Sequence, residues 1–127
     1  MTDNPELPDE VRQFIVRYID SVAELEGLLL MRRDRDVRWD VPALVDRLYI
    51  RDEAAGDVLR ALVRNGLVTS DDEVYRYAPE SAELTAAVDS VAALYPKLLI
   101  PITNLIHAKP RAAVQGFADA FRLRDTK

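Results

Sequence analysis

The residues able to do chemistry are few and poorly placed for catalysis. His107 is the single histidine of the 127-residue chain; beside Lys109, it has no second histidine and no cysteine to complete a metal site or to activate a nucleophile. Asp71 and Asp72 are adjacent acids in a polar stretch that reads as a turn, so they do not face one another across a cleft, and no glycine-rich phosphate loop is present. These residues predict no catalytic site, no metal site, no cofactor and no enzyme activity. His107 is expected at the surface near a helix end. Trp39, the only tryptophan, is expected to be a packing anchor whose indole N–H finds a nearby acceptor. What the chain has in quantity is arginine. One group is Arg32, Arg33, Arg35 and Arg38, a second is Arg51, Arg60 and Arg64, and the tail carries Arg122, Arg124 and Lys127.

Acids nevertheless outnumber bases. The formal net charge is −5 and the isoelectric point is near 4.9, whereas nucleic-acid-binding domains usually show a basic patch and often an isoelectric point above about 9. From Asp40 to Glu80 nine acids stand against five bases, an unfavourable balance for phosphate neutralisation. A composition of 49% hydrophobic and 31% charged residues with only 4 glycines excludes a disordered chain and fits a helix-rich globular one. The length suits a single domain over residues 1–127. The absence of cysteine removes any disulfide framework, and the acidic stretch Met1 to Glu10 is unlike the basic start of a secretory signal, so a cytoplasmic location is expected. Leu94 to Ile106 is rich in apolar residues but is cut by Pro96, Lys97, Pro101 and Asn104. It falls short of the roughly 20 residues a membrane span needs.

The elements that must position these side chains follow from spacing. Pro8 opens a helix whose apolar face is Val11, Phe14, Ile15, Tyr18 and Ile19. Ser21 and Glu24 have capping-box spacing, so a second helix starts there or the first one bends. It runs from Val22 to about Met31 and gives way to the charged loop Arg32 to Asp36. Asp40 caps a third helix with Pro42 in its first turn, ending near Tyr49, and a fourth runs from Asp52 to Asn65-Gly66. Leu67 to Thr69, an acidic tip Ser70 to Glu73, and Val74 to Ala78 read as a hairpin ended by Pro79. A fifth helix begins at Glu80 or Ser81 and is kinked or split by Pro96 and Pro101. Lys109-Pro110 breaks the chain again, and Arg111 to about Leu123 forms a last amphipathic helix.

The segment W-D-V-P-A-L-V-D-R-L, Trp39 to Leu48, followed by A-A-G-D-V-L-R-A-L-V-R-N-G-L-V, Ala54 to Val68, resembles the turn, recognition helix and wing entry of winged helix-turn-helix proteins. Y-R-Y-A-P, Tyr75 to Pro79, resembles the returning wing strand. The resemblance covers roughly residues 21–79. It implies a mainly α fold with a small two-stranded β-hairpin, a winged helix-turn-helix with extra N- and C-terminal helices, the C-terminal extension covering about 80–124. The whole chain also resembles small winged-helix proteins of proteobacteria in its L-P start and its F-A-D-A-F-R-L-R end, Phe117 to Arg124, a resemblance that brings no activity with it.

In DNA-binding members of that family the second helix of the motif enters the major groove. The resemblance therefore implies contacts from Arg51, Asp52, Glu53, Gly56, Asp57, Arg60 and Arg64. Arg51, Arg60 and Arg64 are the expected DNA ligands on the helix, with Arg32, Arg33 and Arg38 in support on flanking phosphates. The bland reading of the latter group is solvated surface. The leading expectation is a cytoplasmic, dimeric transcription regulator that binds double-stranded DNA; fold precedent alone favours it. The alternative is a winged-helix module that docks a protein partner and binds no DNA. Leu98, Leu99, Ile102, Leu105 and Ile106 either complete the monomer core or form a homodimer interface through the terminal helices. The two functions predict different surfaces. A DNA reader gathers its basic side chains on the recognition face, while an interaction module scatters them.

Overall fold

A computed structural model of the chain describes residues 7–109. The expected last helix, Arg111 to Leu123, and the basic tail at Arg122, Arg124 and Lys127 lie outside the described residues. In chain order the elements are α1 (Asp9–Tyr18), α2 (Val22–Arg33), α3 (Val41–Leu48), α4 (Asp52–Arg64), β1 (Val68–Asp71), β2 (Val74–Tyr77) and α5 (Ala82–Leu94), followed by α6 over 99–109. This is the expected class: a mainly helical domain in which three helices lead into a two-stranded wing, with further helices on either side.

Three of the helix starts are set by side chains that take up otherwise unpaired N–H groups. Ser21 accepts from the Glu24 N–H at 3.1 Å, Asp40 from Ala43 at 3.0 Å and Ser81 from Leu84 at 3.1 Å. Glu24 does not close the expected box onto Ser21. Its carboxylate accepts the Asp20 N–H at 3.0 Å instead, because Ile19 is extended and buried and carries the chain out of α1. The first helix thus ends rather than bends. Its last carbonyls are met from a distance: Asn65 donates to Tyr18 O at 2.8 Å, and Lys109 donates to Ile15 O at 2.8 Å and to Ile19 O. A cation at a helix C-terminus also suits the helix dipole.

α2, α3 and α4 pack on one another, α2 and α4 also touch the wing strands, and α1 lies against α5. One core joins them, through Leu25, Leu28 and Met31 of α2, Leu44 of α3, Val58, Leu59 and Leu62 of α4, and Phe14 and Ile15 of α1. Each large side chain fully buried in this way is stabilising by about 1.5–3 kcal/mol. Gly27 lets α2 and α4 approach closely, since a Cβ there would stand 3.1 Å from Val58 Cγ1.

Several expectations shift at their edges. α2 continues two residues past Met31, so Arg32 and Arg33 belong to its last turn and not to a loop. β1 runs on to Asp71 and pairs antiparallel with β2 in the register Val68 to Tyr77 through Asp71 to Val74. The wing tip is therefore two residues, Asp72 (φ 56°) and Glu73 (φ 69°), rather than four, a pair of left-handed residues as in a type I′ hairpin turn. Trp39 adds a third extended segment, its carbonyl accepting the Tyr75 N–H at 2.7 Å. Pro96 splits the fifth helix from α6. Ile102 and Ile106 are fully buried, Leu98 and Leu105 are half-buried and Leu99 is exposed. The run thus mainly completes the core.

Candidate functional site

α4 is the element that the sequence singles out. Core packing buries Ala55, Val58, Leu59 and Leu62 and turns Asp52, Glu53, Asp57, Arg60, Val63 and Arg64 outward, with Arg51 exposed at the N-cap. Gly56, expected on the outward face, is buried. The guanidinium of Arg60 folds back along the helix, so that a Cβ at Gly56 would lie 3.2 Å from its Nη1. There Arg60 forms an ion pair with Asp57. At the exposed face three arginines meet three carboxylates, and the charges cancel. An exposed intrahelical pair of this kind contributes well under about 1 kcal/mol, so Arg60 is engaged but not locked.

The other arginines are placed in two different surroundings. At the end of α2, Arg32 pairs with Asp89 of α5 at 2.9 Å. Arg33 grips Asp34 through two N–H groups, at 3.3 and 3.0 Å. Arg47 reaches the same Asp34 carboxylate at 3.2 Å while its guanidinium lies 5.4 Å from the centroid of the Trp39 ring. The Asp34 carbonyl accepts the Trp39 indole N–H at 3.0 Å. That is the acceptor the sequence requires, and Trp39 is buried as expected. The hydrogen bonds from Arg33 and then Arg47 hold the Asp34 carboxyl below the usual carboxylate range. Arg35 completes the cluster, donating to Arg32 O at 3.1 Å and lying 5.1 Å from the Tyr77 ring centroid.

Arg38 is exposed beside the wing. It shares an open hollow of about 220 Å³ with Asp71, Asp72, Val74 and Arg76. Of the six arginines expected on DNA, Arg51, Arg60 and Arg64 lie along α4, Arg32 and Arg33 end α2 against Asp89 and Asp34, and Arg38 lies among the wing acids.

A feature that sequence reasoning missed is a trough of about 460 Å³ between α1 and the start of α5. Phe14 and Tyr18, their ring centroids 5.3 Å apart, form part of it with Leu84 and Ala87. Glu10, Glu80 and Glu83 also line it, and Arg17 lies 5.7 Å from the Tyr18 ring centroid. The apolar stripe of α1 was legible, but nothing local showed that α5 would cover Phe14 and leave Tyr18 partly uncovered.

Among the described residues no group of three His, Cys, Asp or Glu side chains is placed to hold a metal ion, and His107 is exposed on α6. No helix among them is long and apolar enough to cross a membrane. Comparison of the chain with protein-family models, with curated proteins and with solved structures finds no match.

Proposed function

We propose that this chain is a winged-helix interaction module that docks a protein partner and does not read DNA with α4. The observation that carries this is the distribution of charge around the motif. A recognition helix in the major groove with its wing on the backbone would bring Asp52, Glu53, Asp57, Asp71, Asp72 and Glu73 towards phosphates, all six exposed. Affinity for any duplex depends on cations that neutralise phosphates and release counterions. Here the α4 arginines are balanced by acids of the same helix, and Asp71 at the end of β1 with the two tip residues adds three more negative charges. A homodimer through the terminal helices stays part of the proposal only through Leu99, 44% exposed, and Ile100, 64% exposed, near the start of α6.

The second reading, a DNA-binding transcription regulator, rests on the exposure of Arg51, Arg60 and Arg64 along one helix. The two are separated by fluorescence anisotropy on random duplex DNA at low and then rising salt, with wild type beside Arg60→Ala/Arg64→Ala. No binding at low salt is the expected result. Binding that fades with salt and with the double substitution would replace the proposal by the regulator.

A further inference from the structure

We infer that the trough between α1 and α5 is the docking site, and that its occupant is a basic amphipathic segment of a partner protein. This rests on the interaction-module reading and supplies the partner's chemistry. The trough combines two recognition elements. Its apolar lining, the half-buried Tyr18, Leu84 and Ala87 over the buried Phe14, offers the hydrophobic contact that anchors a peptide side chain. Its carboxylates, Glu10, Glu80 and Glu83, are all exposed, and among the described residues none is ion-paired. Arg17 is the one cation among the residues lining the trough.

Charge complementarity selects the occupant. Three carboxylates against one guanidinium repel a nucleic acid or an acidic peptide and attract lysine or arginine. The trough is open along its length, which suits a chain segment that lays two or three side chains in it while its basic residues meet the acids. Its walls are also tied to α4. Glu80 donates its N–H to Gly66 O at 2.9 Å, its side chain crowds the space above Gly66, and Asn65 holds Tyr18 O. An occupant would thus touch residues bonded to the C-terminal end of α4.

The test titrates the full chain with a fluorescein-labelled peptide of alternating leucine, phenylalanine and lysine, beside a lysine–glycine peptide of the same charge. The inference expects saturable binding of the first and at least about tenfold weaker binding of the second. It expects Glu10→Lys/Glu83→Lys to weaken binding about tenfold, equivalent to about 1.4 kcal/mol, with the circular dichroism spectrum at the binding temperature unchanged. Asp71→Asn/Asp72→Asn, which removes two wing charges, should change it less than about twofold, since distant charges are screened. Equal losses in the trough and wing variants, or equal binding of the two peptides, would reduce the effect to general acidity and overturn the inference. Phe117→Ala/Phe121→Ala in the full chain covers the remaining source of a basic, aromatic segment. If that variant binds the peptide about tenfold more tightly than wild type, the chain's own C-terminal residues compete for the trough, and the partner assignment is overturned. DNA binding without peptide binding removes the interaction-module reading itself; binding of neither removes the trough alone.

Discussion

The α2–α3 junction and the wing tip are separated by only two helices in the chain, and they treat charge in opposite ways. At the junction Asp34 serves four partners, taking Arg33 and Arg47 on its carboxylate and the Trp39 indole and the Val37 N–H on its carbonyl, while Arg32 crosses to Asp89. At the wing Asp71, which ends β1, and the tip residues Asp72 and Glu73 are all exposed, and the last two sit in the left-handed region that disfavours side chains with a Cβ. Arg32, Arg33 and Arg47 at the junction are thus tied to specific carboxylates, while the wing acids have Arg38 and Arg76 beside them but, among the described residues, no ion pair. The same contrast recurs in the backbone at the two ends of α4. The chain reaches positive φ with glycine at Gly66, after the helix, and with an almost fully exposed tyrosine at Tyr49, before it.

The largest effect expected from breaking the junction belongs to Trp39→Ala. It removes a buried indole that is bonded to Asp34 at the end of α2 and faced by Arg47 of α3, and a loss of about 3–5 kcal/mol is expected in urea denaturation. A loss below about 1 kcal/mol would mean that the junction is not the anchor described. Next comes Gly66→Ala. Its Cβ would meet Glu80 Cδ at 2.6 Å at φ 77°, so a destabilisation of about 1–2 kcal/mol is expected from the thermal midpoint.

The acid response sharpens the comparison. The folded-state pKa of Asp34 lies below its ordinary value, so its contribution is complete above the unfolded pKa of about 3.9 and is lost as pH falls through the lower folded value. Glu24 runs the other way, because burial raises its pKa; its deprotonation removes stability as pH rises through that raised value. Urea midpoints measured between about pH 6 and pH 3 should therefore fall less steeply on the acid side for Asp34→Asn than for wild type. Glu24→Gln should fall more steeply. Identical slopes for both would disprove the two assignments.

The smallest effects are gains at the strained turns. Tyr49→Gly and Glu73→Gly should each raise stability by about 0.5–1 kcal/mol if strain relief outweighs the added freedom of the unfolded chain. A loss at Tyr49 would show that its side chain holds the α3–α4 turn by contacts that its exposure conceals.

Local signals carried much of this fold. Ser21, Asp40 and Ser81 announce helix starts because a cap is a matter of three or four residues, and the 3.6-residue spacing in α4 separates its buried side from its charged one. The two-residue turn was not legible, since Asp72-Glu73 lacks the Asn-Gly or Asp-Gly pair that marks one. Nor were the long-range partners: Arg32 finds Asp89, Asn65 finds Tyr18 and Lys109 finds Ile15 only after the helices are packed. For the candidate site this matters more than for the fold. Sequence sets Arg33 beside Asp34 and Arg60 one turn from Asp57, but whether Arg32 is spare or occupied depends on Asp89, whose position packing decides.

The placement of Trp39 has an optical consequence. As the chain's only tryptophan, it alone sets the indole fluorescence, and its ring is enclosed, hydrogen-bonded and faced by Arg47, while its main chain holds Tyr75 of the wing. Emission from this one ring therefore reports whether β2 is seated. A partner that pulls the wing away would admit water and shift the light to longer wavelength, and one that docks between α1 and α5 would leave the colour unchanged. The molecule carries its own probe for telling those two modes of engagement apart.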